Sequence, residues 1–276
     1  MSQAPRGATL LQAALAWRRT PARGGRLTSH TERYWIAAAI SWLPLPLGRV
    51  MRLFGSDKQQ EGQHAYGRTY HELFRRFRHR RIKLLEIGVL SGASLLGWRA
   101  FLSRATVVGA DIAPIGHLGY RGLRTRQTDQ SSPEALAVLA ADEGPFDVII
   151  DDGSHINAHQ ILTFYAMFPH LNDEGIYVIE DAQTSFWPGP YGGAHPTDPG
   201  FADTCIGEML ELSKYVNHTE FLEQAQGLDA RRLQVARSIR RIAFEHNLVV
   251  IWKAPNVLTS NKNTLVSGGK SLVTGT

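Results

Sequence analysis

Two pairs of adjacent carboxylates and one imidazole carry most of the chemistry this sequence could perform. Phe146–His155 reads FDVIIDDGSH, an apolar run that ends in Asp151, Asp152, a glycine and His155. Ile176–Asp181 reads IYVIED and ends in Glu180 and Asp181. If the two runs are neighbouring strands, four acids and one imidazole crowd a single rim. Like charges that close are costly unless a cation or shared protons offset them. An oxygen-rich set selects a hard cation, Mg²⁺ or Mn²⁺ before Zn²⁺. The expected ligands are Asp152, Glu180 and Asp181, although strand alternation leaves open which of Asp151 and Asp152 takes the metal. The plainer account has these acids capping the helix that starts near Asn157 and pairing with arginines, which does not explain two double acids. His155, just past a glycine turn, is the expected general base, since an imidazole titrates where proton abstraction from an alcohol needs it.

A second group of residues suits a nucleotide-like cofactor. Glu86-Ile-Gly-Val-Leu-Ser-Gly92 has GxxxG spacing between an expected strand and helix, not the GxGxxG of a dinucleotide site. Gly88 lets a ligand approach the backbone, and the helix that follows Gly92 offers free N–H groups. Glu86 suits a ligand with an ammonium group, as in the methionine part of S-adenosylmethionine (SAM). Asp111 ends the second strand, where an acid can accept both ribose hydroxyls. Asp129 and Gln130 end the third, where a carboxylate and an amide could read an adenine amino group. Ser94, in the first turn of the helix, and Asp151, on the cofactor side of its pair, complete the set. Each position alone is more often structural; acids at three successive strand ends beside a glycine turn are more specific.

The elements that must position these residues alternate. Strands are expected at Lys83–Gly88, Thr106–Asp111, Arg124–Asp129, Phe146–Asp151 and Ile176–Glu180, with helices at Gly92–Leu102, Pro133–Ala141 and Ala158–Phe168. That pattern predicts βαβ units in a doubly wound α/β sheet. Arg241–His246 and Leu248–Lys253, joined at Asn247, predict an antiparallel hairpin that closes it. A helix is expected over Thr204–Val216. Upstream, Asp57–Phe77 reads as a helix whose aromatic positions, among them Tyr66 and Tyr70, share one face; packing is their simplest role. Leu10–Trp17 forms a helical turn or two, and residues 182–203, rich in Gly and Pro, form a long loop with the character of a lid.

Composition sets outer bounds. The 276 residues are 43% hydrophobic and 20% charged, with a formal charge of +5, as in a soluble globular protein. The single cysteine, Cys205, excludes an internal disulfide framework and CxxC metal sites, and fits a reducing cytoplasm. Much of the positive charge lies in Arg75–Arg81, read as a solvated basic helix end and not as a nucleic-acid face. Tyr34–Leu47 is apolar but too short to span a bilayer, and Pro44 and Pro46 break it. Packing on the main domain is the favoured role for it, with peripheral membrane contact through residues 34–54 as the alternative.

LLEIGVLSGASL, VVGAD, TDQSSP, FDVIIDDGSH and YVIEDAQTSFWP together resemble the metal-dependent sugar O-methyltransferases of macrolide biosynthesis, the mycinamicin and demethylmacrocin group. They are also similar to the rhamnosyl O-methyltransferase and cephalosporin-hydroxylase-like group. DKQQEGQHAYGRTY, which contains Tyr66, resembles the stretch that contacts the cofactor there. The likeness covers residues 56–253, flanked by an extension (1–55) and a polar tail (254–276). It implies a class I SAM-dependent methyltransferase fold with a seven-stranded, mostly parallel sheet, SAM and Mg²⁺ as cofactors, and a homo-oligomer. It assigns a metal ligand to Asp152, further ligands to Glu180 and Asp181, and the base to His155. The expected acceptor is a sugar hydroxyl of a glycoside, glycolipid or polysaccharide; a catechol-like diol and a non-catalytic SAM-binding module are the alternatives. The macrolide enzymes carry a longer amino-terminal region than this chain does.

Overall fold

The computed structural model describes residues 30–59, 64–221 and 227–257. The turn expected at Leu10–Trp17 and most of the 1–55 extension and 254–276 tail lie outside them. Two compact units divide the chain, Met1–Gly153 and Ser154–Thr276.

The first unit opens with helices α1 (His30–Ile40), α2 (Leu47–Phe54) and α3 (Gly67–Phe74). Strand β1 (Lys83–Ile87), helix α4 (Ala93–Phe101), β2 (Thr106–Asp111), β3 (Leu123–Gln127), helix α5 (Pro133–Glu143) and β4 (Phe146–Asp151) follow. β1 runs parallel to β2 and β4, and β2 to β3. Register places Ile87 opposite both Ala110 and Asp151. The residues that follow β1, β2 and β4 therefore leave the sheet at one edge. Leu84, Leu85, Val107, Val108, Val148 and Ile149 are fully buried, as strands covered on both faces require. Helix α5 starts where the sequence says it should: Ser132 accepts from the Ala135 N–H at 3.1 Å, and Pro133 occupies the first turn. Helices α1 and α2 pack against α4, and Tyr34, Ala37, Ile40, Leu47, Met51 and Phe54 are buried. Packing, the role favoured for Tyr34–Leu47, is what is found. Trp35, Trp42 and Leu43 remain exposed.

The second unit contains α6 (Asn157–Met167), β5 (Leu171–Ile179), α7 (Cys205–Tyr215), α8 (Ala230–Ala236), β6 (Ile239–Glu245) and β7 (Leu248–Lys253). β7 pairs antiparallel with β5 and β6, and Asn247 makes the hairpin turn at φ +63°. The sheet is thus mixed and seven-stranded, in the order β3-β2-β1-β4-β5-β7-β6. Among the described residues no helix is long and apolar enough to cross a membrane.

Three expectations need correction. Strand β5 begins at Leu171, five residues before the expected start, because its polar segment Asn172–Glu174 hides the strand from a hydrophobicity reading. Among the described residues, the helix expected over Asp57–Phe77 is found at Gly67–Phe74, with a 3₁₀ turn at Arg75–Phe77. Ala65 at φ +54° precludes a continuous helix through that point. Helix α8, whose Asp229 caps the Arg232 N–H at 2.8 Å, has no counterpart among the expected elements.

One glycine fixes how β1 and β4 finish. Gly88 sits at φ +87°, and a Cβ there would lie 1.9 Å from the Asp152 carbonyl oxygen. Both the backbone conformation and the space exclude any side chain. Gly88→Ala is expected to cost about 3 kcal/mol or more, measured by urea denaturation; a loss below about 1 kcal/mol would show that the two turns can separate freely.

Candidate active site

The edge where β1, β2 and β4 end carries the cofactor candidates of the first unit. Asp111 serves the glycine loop directly. Its Oδ2 accepts the N–H groups of Val89 at 2.7 Å and Leu90 at 3.1 Å, and its Oδ1 accepts the Ala113 N–H at 2.9 Å. A carboxylate has about four acceptor positions, so it can close this loop and still receive hydroxyl donors.

Glu86 is fully buried in β1 and accepts the Ser94 hydroxyl at 2.7 Å. Its other oxygen has no hydrogen-bond partner. The Lys58 ammonium stands 3.8 Å away. Burial pushes the Glu86 carboxyl up to about 7, so desolvation outweighs the attraction of Lys58. Asp151 is in the same condition. It is fully buried, its Oδ1 accepts the Gln130 amide at 2.5 Å, and its Oδ2 has no partner. Burial raises it to about 7 as well. Gln130 is held against the turn: a Cβ on Gly153 would lie 2.2 Å from its Oε1. Two buried acceptors without donors fit a ligand rich in N–H and O–H groups, as SAM is, and the Gly88 turn gives it access to the backbone.

Two further expected cofactor residues, Asp129 and Tyr66, have local partners. Asp129 is exposed and folds back on the Ser131 N–H and hydroxyl, at 2.8 and 2.7 Å. Tyr66 is buried at the head of α3, its ring 6.3 Å from Tyr70 and 5.3 Å from His64. That is the packing role its aromatic spacing suggested.

The metal candidates follow the ends of β4 and β5. Asp152 immediately follows β4 in the first unit; His155 and Asp181 belong to the second. His155 Nε2 is 3.7 Å from Asp181 Oδ2, and His155 Nδ1 is buried without a hydrogen-bond partner. His155 (φ +58°) and Asp181 (φ +51°) both adopt the left-handed backbone region. Two non-glycine residues held there store strain of about 1 kcal/mol or more each, as often found at functional sites. Adjacent carboxylates such as Glu180 and Asp181 fit a hard divalent cation. Glu180, an expected ligand, is buried.

Two residues of consequence carry no signal in the sequence. Lys58 is 2% exposed and donates to the Asp152 carboxylate while facing Glu86. A solitary lysine in a polar segment gives no periodic sign of burial. Asn157 anchors the loop at 182–203. Its amide donates to the carbonyls of Thr184 (3.2 Å) and Tyr191 (2.8 Å), and its Oδ1 accepts from Ser185 (2.8 Å) and the Cys205 N–H (2.7 Å). The expected lid is therefore pinned at its start and at its exit, with Phe186 and Trp187 exposed between.

Residues 85–182 match the family described as a methyltransferase domain. The chain is 37% identical over 232 residues to an 8-demethyl-8-alpha-L-rhamnosyl tetracenomycin-C 2'-O-methyltransferase of Streptomyces olivaceus, covering 82% of this chain and 59% of that one. It is 36% identical over 200 residues to the mycinamicin VI 2''-O-methyltransferase of Micromonospora griseorubida, covering 70% and 49%. Among solved structures, the MycE methyltransferase of the mycinamycin pathway, in complex with Mg, SAH and mycinamycin VI, superposes with a TM-score of 0.69 at 33% identity, over 78% of this chain and 56% of that chain. The chain thus spans between about half and three fifths of the length of these relatives.

The raised Asp151 carboxyl has a signed consequence. A carboxyl whose folded value lies above its unfolded one favours the fold in its protonated form. Its contribution is complete below about 4 and is lost as pH rises through about 7. The ligand-free protein is expected to show a Tm several degrees lower at pH 8 than at pH 5, and Asp151→Asn should flatten that slope; an unchanged slope in the variant would place the effect elsewhere.

Proposed function

We propose that this chain, a relative of the sugar O-methyltransferases of glycosylated natural products and a bearer of their class I SAM-dependent methyltransferase fold, is itself a Mg²⁺- and SAM-dependent O-methyltransferase. The acceptor class is a sugar hydroxyl of a glycoside, glycolipid or polysaccharide. The methyltransferase segment is assigned to residues 56–253. The observation that carries this reading is the pair of buried, donor-seeking carboxylates at Glu86 and Asp151 in the first unit, with the His155 imidazole 3.7 Å from the Asp181 carboxylate in the second. A binding module needs no imidazole beside a carboxylate at a strand end; a hydroxyl-deprotonating enzyme does.

Residue roles follow from these placements. Glu86, with Ser94, receives the ammonium of the cofactor's methionine part. Asp111 receives ribose hydroxyls while it holds the Val89–Leu90 loop closed, and Gln130 and Asp151 face the adenine side. Asp152 and Asp181, with Glu180 as the further expected ligand, hold the divalent cation. A bound Mg²⁺ supplies Lewis acidity that lowers the pKa of an acceptor hydroxyl. His155 takes the hydroxyl proton, and the Asp181 carboxylate at 3.7 Å favours the imidazolium that results. The half-exposed rings of Phe186 and Trp187, a few residues after Asp181, offer the apolar surface that a glycosylated aglycone or lipid presents a match for. Exposed Trp35, Trp42 and Leu43 are the residues for the contact expected of segment 34–54, with a membrane surface or with a second copy in a homo-oligomer.

A screen of glycosides with SAM and Mg²⁺, read as S-adenosylhomocysteine (SAH) release, is expected to find turnover that EDTA abolishes. His155→Ala should keep SAH affinity within a few-fold and lower kcat by about 10²- to 10⁴-fold. Asp152→Ala should lose both Mg²⁺ dependence and activity. Turnover that survives EDTA removes the metal, and full activity of His155→Ala across neutral pH removes the base.

A further inference from the structure

Lys58 lies outside every role assigned so far, yet its placement is among the costliest in the unit. Its side chain is 2% exposed. A buried ammonium is tolerated only when it is paired, and among the described residues two carboxylates flank this one. Nζ donates to Asp152 Oδ2 and stands 3.8 Å from Glu86 Oε1. Glu86 is the carboxylate assigned to the cofactor; Asp152 is the carboxylate assigned to the metal. One cation therefore serves one acid from each half of the site.

The backbone brings the lysine there with little freedom. Helix α2 ends at Gly55 (φ +78°), whose N–H returns to the Arg52 carbonyl. The Ser56 N–H donates to the Met51 carbonyl at 3.0 Å, and the Ser56 hydroxyl accepts the Lys58 N–H at 3.3 Å. α2 packs on α4, the helix that carries Ser94, so the turn that bears Lys58 is fixed to the same scaffold as Glu86.

We infer that Lys58 is a positioning residue that sets the balance between the two half-sites, strengthening cofactor binding through Glu86 and weakening metal binding through Asp152. The inference rests on the SAM- and Mg²⁺-dependent reading above. The two effects have opposite signs for a physical reason. Near Glu86, which is fully buried where Asp152 is part-exposed, the ammonium 3.8 Å away opposes the neutralisation that burial favours, and only the ionised carboxylate attracts the cofactor's own ammonium. Near Asp152 it competes for an oxygen that a divalent cation would use, and it repels that cation across a short, partly buried distance. A merely structural ion pair would have one sign, since its loss would loosen both carboxylates together.

The test measures two affinities in the full chain. Mn²⁺ binding is read by electron paramagnetic resonance, and SAH binding by calorimetry without metal. Lys58→Met removes the charge and keeps much of the volume; it is expected to bind Mn²⁺ about three- to tenfold more tightly and SAH about tenfold more weakly. Lys58→Arg keeps the charge and should stay within about threefold of the parent in both, which a loss of packing alone would not produce. Lys58→Gln, read in the same way, covers the case in which the methionine variant fails to fold. Mn²⁺ and SAH affinities that fall together, or that do not move, overturn the inference and leave the SAM- and metal-dependent reading intact. A parent protein that binds neither probe overturns both.

Discussion

The burial of carboxylates at the ends of parallel strands is the constraint on which the rest of this structure turns. Glu86, one residue before the end of β1, and Asp151, the last residue of β4, have no solvent and an oxygen each without a hydrogen-bond donor. Such groups cost on the order of 1–3 kcal/mol each when left unsatisfied. A fold keeps them only if something else in its working life offsets the cost, and the partners present here are few: Ser94 and Lys58 for Glu86, Gln130 and the Gly153 N–H for Asp151. The sheet supplies the rigidity that holds these acids in place. Valines, leucines and isoleucines fill β1, β2 and β4 on either side of them, so the carboxylates cannot swing out to water without disturbing the core.

The glycines at Gly88 and Gly153 belong to the same arrangement. One brings the β1 turn against the Asp152 carbonyl, the other brings the β4 turn against Gln130. Removing either space would separate residues whose proximity gives the site its character. The Asp111 carboxylate acts in the same sense, since it ties Val89 and Leu90 to the end of β2. Three strand ends are thus joined by contacts that each demand a particular residue type.

How far the sequence makes this legible depends on the kind of signal each residue emits. The strands at β1, β2 and β4 are readable because a short apolar run bounded by acids and glycines fits a buried strand and little else. The α/β alternation follows, as does the hairpin at Asn247. β5 is readable only from Ile176, since Asn172–Glu174 is polar. Asp152 follows β4, Glu180 and Asp181 follow β5, and the His155 imidazole stands 3.7 Å from the Asp181 carboxylate. Asp129 and Tyr66 have local partners that no spacing rule reveals: an aspartate two residues before a serine, and a tyrosine in an aromatic cluster. Lys58 and Asn157 emit no pattern at all. Each is a single polar residue whose importance comes from what the fold places around it, and tertiary placement cannot be read from periodicity.

Asn157 gives the second unit a property of its own. By holding Thr184, Ser185, Tyr191 and Cys205 at once, it separates the mechanical job of the intervening loop from its chemical one. The segment between those anchors can change length or side chains while both of its ends, and the start of α7, stay where they are. Such a loop behaves as an exchangeable cassette: substitutions at exposed Phe186 and Trp187 leave its anchors, and the acids and the imidazole that precede it, undisturbed.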